Sequence, residues 1–145
     1  MTDDHLVPIR RDNASMAQSL FDVIGVPFEQ TTELERQVVA TFAFGMVFAV
    51  GQIRHLSPPE VHALSICVLV DTFRYADHQA SDFTTDLIEI AADESRQPLM
   101  NAIIHRGIDG HRQWQAGNPD GLRANLTDVL ERVHSSESRD RPTRS

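Results

Sequence analysis

The sequence predicts an all-α, single-domain bundle of about six helices packed around one central apolar helix. Three observations lead there. Val38 to Val50, VVATFAFGMVFAV, runs thirteen residues without a charge. A bilayer span needs roughly 20 such residues, and Arg36 and Arg54 bracket this run closely, so it reads as a buried helix. Helix-start signals recur along the chain, whereas the period-two alternation of strands does not. At 145 residues the chain is long enough for one core that buries roughly 68–70% of its unfolded surface.

The expected organisation is a flexible segment over residues 1–12, a helical domain over 13–134 and a loose polar tail over 135–145. The first helix spans Ala14 to Ile24, with Met16, Leu20, Phe21 and Ile24 at helical spacing. Asn13 or Ser15 can cap it, and Gly25-Val26-Pro27 ends it. Thr32-Glu33-Leu34-Glu35 matches a capping box and opens the central helix, Glu33 to about His55. Within it Ala43, Gly45, Ala49 and Gly51 let neighbours approach closely. Ser57-Pro58-Pro59-Glu60 forms a second capping box for a helix that reaches about Tyr75. A fourth helix, about Ser81 to Asp93, carries the narrow apolar stripe Phe83, Leu87, Ile90 and Ala91. Ser95 can cap a fifth, with Pro98 in its first turn, running towards Trp114 unless Gly107 or Gly110 breaks it. Asn118-Pro119 starts the last, through Leu122, Leu126, Val129, Leu130 and Val133. Ser135 to Ser145 has no apolar residue but Pro142 and cannot offset its ordering entropy.

Charge narrows the choice of partner. Thirteen basic residues, all arginine, face 21 acidic ones, for a formal charge of -8. That balance argues against nucleic acid or an anionic membrane as a direct partner. The acidic N-terminus, Met1-Thr2-Asp3-Asp4-His5, lacks the basic and apolar regions of a secretory signal. The single cysteine, Cys67, excludes an intramolecular disulfide, and its apolar neighbours favour the inert thiol.

No reaction centre emerges from the residues. None of the seven histidines has another at i+3 or i+4, so no metal and no cofactor is expected; His105 and Asp109 give one potential pair. No serine sits in a Gly-x-Ser-x-Gly turn. Asp71 follows an apolar run and needs a partner, which Arg74 could supply locally, or Arg106 or His105 from another helix. The clearest surface signal is a ridge of Asp82, Asp86, Glu89 and Asp93 within a sector about 60° wide, suited to a basic partner. Arg106, His111 and Trp114, on the glycine-containing fifth helix, are residue types that often anchor protein interfaces.

Three segments carry a family resemblance: Phe42-Ala43-Phe44-Gly45-Met46, Leu56-Ser57-Pro58-Pro59-Glu60-Val61, and Ile103 to Gly110, IIHRGIDG. With them the chain resembles, from about Thr32 to Val133, the helical immunity proteins of bacterial polymorphic-toxin and type VI secretion systems. The resemblance implies a non-catalytic cytoplasmic protein that binds a cognate toxin and blocks its active site or assembly. It brings no catalytic residue set. Two other readings stand beside it. One is a small helical enzyme or ligand-binding protein with a pocket around Asp71, Arg74, His105 and Asp109. The other is a homodimeric scaffold marked by a continuous exposed apolar face. Convergence of those four residues favours the ligand reading; a flat acidic ridge favours the binder.

Overall fold

A computed structural model describes residues 5–140 and contains six α-helices and one 3₁₀ turn, with no strand among the described residues. They are α1 (Leu6–Ile24), α2 (Glu33–Ile53), α3 (Pro58–Asp71), α4 (Asp77–Ala92), α5 (Pro98–Gln115) and α6 (Pro119–Asp140), with the 3₁₀ turn at Phe28–Gln30 before α2.

Both expected capping boxes form. Thr32 Oγ1 accepts from the Glu35 amide at 3.1 Å, while the Glu35 carboxylate accepts from the Thr32 amide at 2.8 Å. Ser57 and Glu60 repeat the exchange at 3.3 and 2.8 Å. Each box fixes the entry of a helix that buries apolar residues. In α2 every residue from Val38 to Val47 is buried, and α1, α3, α5 and α6 surround it. By length and composition α2 could cross a membrane, yet 72% of its apolar window lies inside the bundle. A smaller cluster of Phe44, Leu87, Ile90 and Ile104 ties α4 to α2 and α5.

The tightest contact is the α2–α5 seam. Gly45 and Gly107 face each other there, and a Cβ on Gly45 would collide with the Ile104 carbonyl oxygen. A Cβ on Gly107 would strike the Phe42 carbonyl, and one on Gly110 would enter the Phe42 ring. Gly107 and Gly110 therefore do not break the fifth helix. They let its backbone lie against α2.

Several boundaries differ from expectation, each for a local reason. The first helix begins at Leu6 rather than Ala14, because Pro8 fits its first turn and Ile9, Asn13, Met16 and Leu20 share one buried face. Asn13, expected as a possible cap, is thus a mid-helix residue and buried. α3 ends at Asp71 rather than near Tyr75: Arg74 is left-handed (φ 61°), and the Tyr75 amide donates back to the Leu69 carbonyl. α4 begins at Asp77 rather than Ser81, with the Gln79 side chain accepting from the Ala76 amide and Ala80 fully buried. It stops at Ala92, so Asp93 turns off as an extended cap (φ −141°, ψ 96°). Ser95 does not cap α5, since Pro98 at the first helical position makes Gln97 the cap and the Ser95 hydroxyl donates to Asp93 instead. Asn118 does cap α6, accepting from the Gly121 amide at 3.0 Å. α6 continues through Ser135 to Asp140, where a loose tail was expected; residues 141–145 of that tail lie outside the described residues.

Candidate functional site

The four residues of the pocket reading do not converge. Arg10, from α1, forks onto Asp71 with two 2.9 Å hydrogen bonds, in place of the partners expected from α3 or α5. Asp71 in turn raises the Arg10 pKa, chiefly through that hydrogen bond, so the guanidinium stays charged. Arg74 lies over the Phe28 ring, 4.3 Å from its centroid, and bonds Glu29 at 3.0 Å. His105 and Asp109 stand exposed on α5, and Asp109 faces Arg112 at 3.5 Å. Asp71, Arg74 and Asp109 each hold a separate contact. No group of three or more potential metal ligands forms among the described residues.

The acidic ridge is present but shorter. Asp82 and Asp86 stand exposed on the outer flank of α4, with no ion-pair partner among the described residues. Glu89 is exposed but paired with Arg96, whose pKa it raises. Asp93 is occupied by Ser95, whose hydroxyl and amide donate to the carboxylate and hold its pKa low. Beside this flank, Phe44, Phe48, Leu56, Val61 and Ile88 line an apolar groove of about 340 Å³ between α2, α3 and α4.

Arg106, His111 and Trp114 divide in the same way. Arg106 fastens α5 to α6: its Nε donates to Asn125 Oδ1 at 2.6 Å and it meets Asp128 at 3.0 Å. The Asn125 amide donates back to the Arg106 carbonyl at 3.0 Å, so the pair is reciprocal. Asp128 also bonds Arg132, and the two arginines lower its pKa, Arg132 first. These residues close one wall of an open groove of about 1100 Å³ along α5 and α6, where His105 lies. His111 is buried, and desolvation lowers its pKa, so its ring favours the neutral form. Trp114, one turn on, is 40% exposed.

His111 and Trp114 belong to a cleft that sequence reading did not foresee. α1 contributes Ile9, Asp12, Asn13 and Met16; the end of α2 contributes Val50, Ile53 and Arg54; together with the end of α5 they enclose about 240 Å³. Asn13 is 1% exposed and its Nδ2 has no hydrogen-bond partner. Ile53 is 56% exposed at the rim. A signal for Asn13 existed, since Ile9, Asn13, Met16 and Leu20 keep a helical spacing with a polar residue among apolar ones. For Ile53, at the end of an otherwise buried helix, the sequence carries no such signal.

No curated protein and no solved structure matches the chain significantly. A family model, immunity protein 48, matches residues 11–134, from the second turn of α1 to the last buried turn of α6. That span covers nearly the whole folded body, and the chain belongs to the immunity protein 48 family.

Proposed function

We propose that this protein neutralises a cognate bacterial toxin, of a polymorphic-toxin or type VI secretion system, by stoichiometric binding in the cytoplasm and without catalysis. The observation that carries the reading is the family match over residues 11–134. Charge supports it. At -8 the protein favours a basic partner, and a toxin whose substrate cleft is basic offers a complementary surface. The exposed Asp82 and Asp86 on the α4 flank steer such a partner, and the apolar groove beside them gives apolar side chains a place to bury. Long-range charge sets the rate of encounter, whereas buried contacts set how long the complex lasts.

Co-expression with the protein encoded by the neighbouring gene tests this directly. Cells producing that protein alone should stop growing, and cells producing both should grow and yield a one-to-one complex. Growth arrest that persists in the presence of the soluble immunity protein, with no complex recovered, would remove the reading.

A further inference from the structure

α4 separates an apolar surface from an acidic one. On one side lies the groove of about 340 Å³ between α2, α3 and α4, where Gln52 is the single polar side chain among the described lining residues and Ile88 is 37% exposed. On the other side run the carboxylates. α4 carries Asp77, Asp82, Asp86 and Glu89 and no lysine or arginine. At 100° per residue, Asp82, Asp86 and Glu89 stand about 100–160° round the helix from Ile88. The chain itself shows what this acidic side holds. Arg96, from the segment after α4, reaches back to Glu89, which raises its pKa, and Asp86 and Asp93 add to the same field. Asp82 and Asp86, four residues apart on one face, have no ion-pair partner among the described residues and offer a second seat of the same kind.

We propose that one helix of the toxin lies across α4, with apolar side chains a turn apart entering the groove and an arginine or lysine about two turns along meeting Asp82 and Asp86. This rests on the toxin-binding reading above and names the element of the toxin that is bound. The groove selects a helix. Its walls are helices and present no strand edge, so an extended segment would bury main-chain groups with nothing to pair them, whereas a helix brings its own hydrogen bonds. Its size admits side chains alone: one turn of helix, about 10–12 Å across and 5.4 Å long, fills more than about 400 Å³. Distance selects the spacing. α4 is itself about 10–12 Å across, which a partner helix covers in roughly seven or eight residues at 1.5 Å each. Charge selects the sign, since the seat at Asp82 and Asp86 matches the one that Arg96 fills at Glu89, on a chain of formal charge -8.

The test uses the full chain and the protein encoded by the neighbouring gene. Ala92 lines the groove, is exposed and lies outside the core clusters, so Ala92→Trp fills the groove and spares the core. It should leave Tm unchanged and speed dissociation about tenfold or more, the loss for one displaced apolar side chain. Photoreactive benzoylphenylalanine in place of Gln52, and separately in place of Asp82, should cross-link to a single toxin helix at sites roughly seven or eight residues apart. A folded Ala92→Trp that dissociates at the wild-type rate overturns the inference and leaves the toxin-binding reading standing. If Ala92→Trp does not fold, the cross-links decide alone. Attachment of the two probes to separate elements of the toxin, attachment of the Gln52 probe to a second copy of this chain, or no attachment from Gln52 overturns the inference as well. Wild-type protein that forms no complex with its neighbour removes both.

Discussion

At the α2–α5 seam, backbone lies on backbone: Gly45 rests under the Ile104 carbonyl and Gly107 under that of Phe42. On the outer flank of α4, by contrast, Asp82, Asp86 and Glu89 are exposed, and none of them belongs to the core clusters. The seam tolerates one arrangement of atoms, because packed interiors transmit any added volume as strain. The flank tolerates almost any polar residue, because surface substitutions rarely move stability by more than about 0.5 kcal/mol. The flank can therefore change without disturbing the seam that holds the helices.

The sharpest way to break this comparison is at the seam. Gly107→Val should cost at least about 4 kcal/mol, since its side chain drives into backbone that cannot rotate away, and should abolish a cooperative unfolding transition followed by circular dichroism. Gly107→Ala should also destabilise strongly, because the Cβ alone collides with the Phe42 carbonyl. Gly117→Ala is the control. Gly117 has φ 66° and open space around it, so only the left-handed backbone is strained, at about 1–2 kcal/mol. Equal losses for Gly107→Ala and Gly117→Ala would mean that the helices can slide apart, and the seam would lose its special status.

A smaller effect is expected one layer out, where α5 meets α6. Asn125→Leu removes the acceptor of Arg106 Nε and the donor to the Arg106 carbonyl. Leaving those groups unmet should cost about 1–3 kcal/mol, read as a lower urea midpoint at unchanged slope.

At the flank the expected change is in rate, with stability untouched. Because Glu89 is paired with Arg96 and Asp93 lies past the end of the helix, bonded to Ser95, the reversal that matters is Asp82→Lys/Asp86→Lys. It should slow association with the toxin partner and flatten its salt dependence, which arises within a Debye length of about 8 Å at 0.15 M salt. Tm should move by no more than about 0.5 kcal/mol in equivalent stability. Association that is unchanged at low salt would take the flank out of recognition.

The seam was far more legible in the sequence than the pairings across the bundle or the extent of the acidic flank. Capping boxes at Thr32 and Ser57 and the uncharged run Val38–Val50 are local patterns, so they announce the central helices before any contact is known. The glycines of α2 were readable as close-approach positions, although Gly107, which Gly45 meets, was equally compatible with a helix end. Pairings across the bundle were not readable. Arg10 reaches Asp71 and Arg74 reaches Glu29 only because α1 and the 3₁₀ turn fold onto α3 and the segment after it. The acidic ridge failed at its last member for a similar reason: helical periodicity continues through Asp93, but the backbone leaves the helix at Ala92. Asn13 looked like a cap because asparagine usually is one, and only the earlier helix start at Leu6 turns it inward.

The smallest expected effect sharpens the comparison by making the buried side respond to acid. His111 lies one turn beyond Gly107 on α5 and is buried, with Asp12 and Arg54 lining the same cleft from α1 and α2. Burial disfavours the imidazolium and lowers the folded-state pKa, whereas the unfolded chain takes up a proton near the ordinary value of about 6.5. The sign follows. Well above pH 6.5 neither state is protonated there and His111 contributes no pH dependence. As the pH falls through about 6.5 the unfolded state binds the proton first, so stability falls, and the loss levels off below the folded-state pKa. His111→Gln keeps a polar side chain and removes the titration. Urea unfolding of both proteins between about pH 7.5 and pH 5 should therefore show the difference in stability, wild type minus variant, shrinking with acid. Subtraction cancels the contributions common to both proteins. A difference that stays flat across this range would mean that the His111 ring takes up its proton as readily folded as unfolded, and the α5 end of the seam would then be as open to water as the α4 flank.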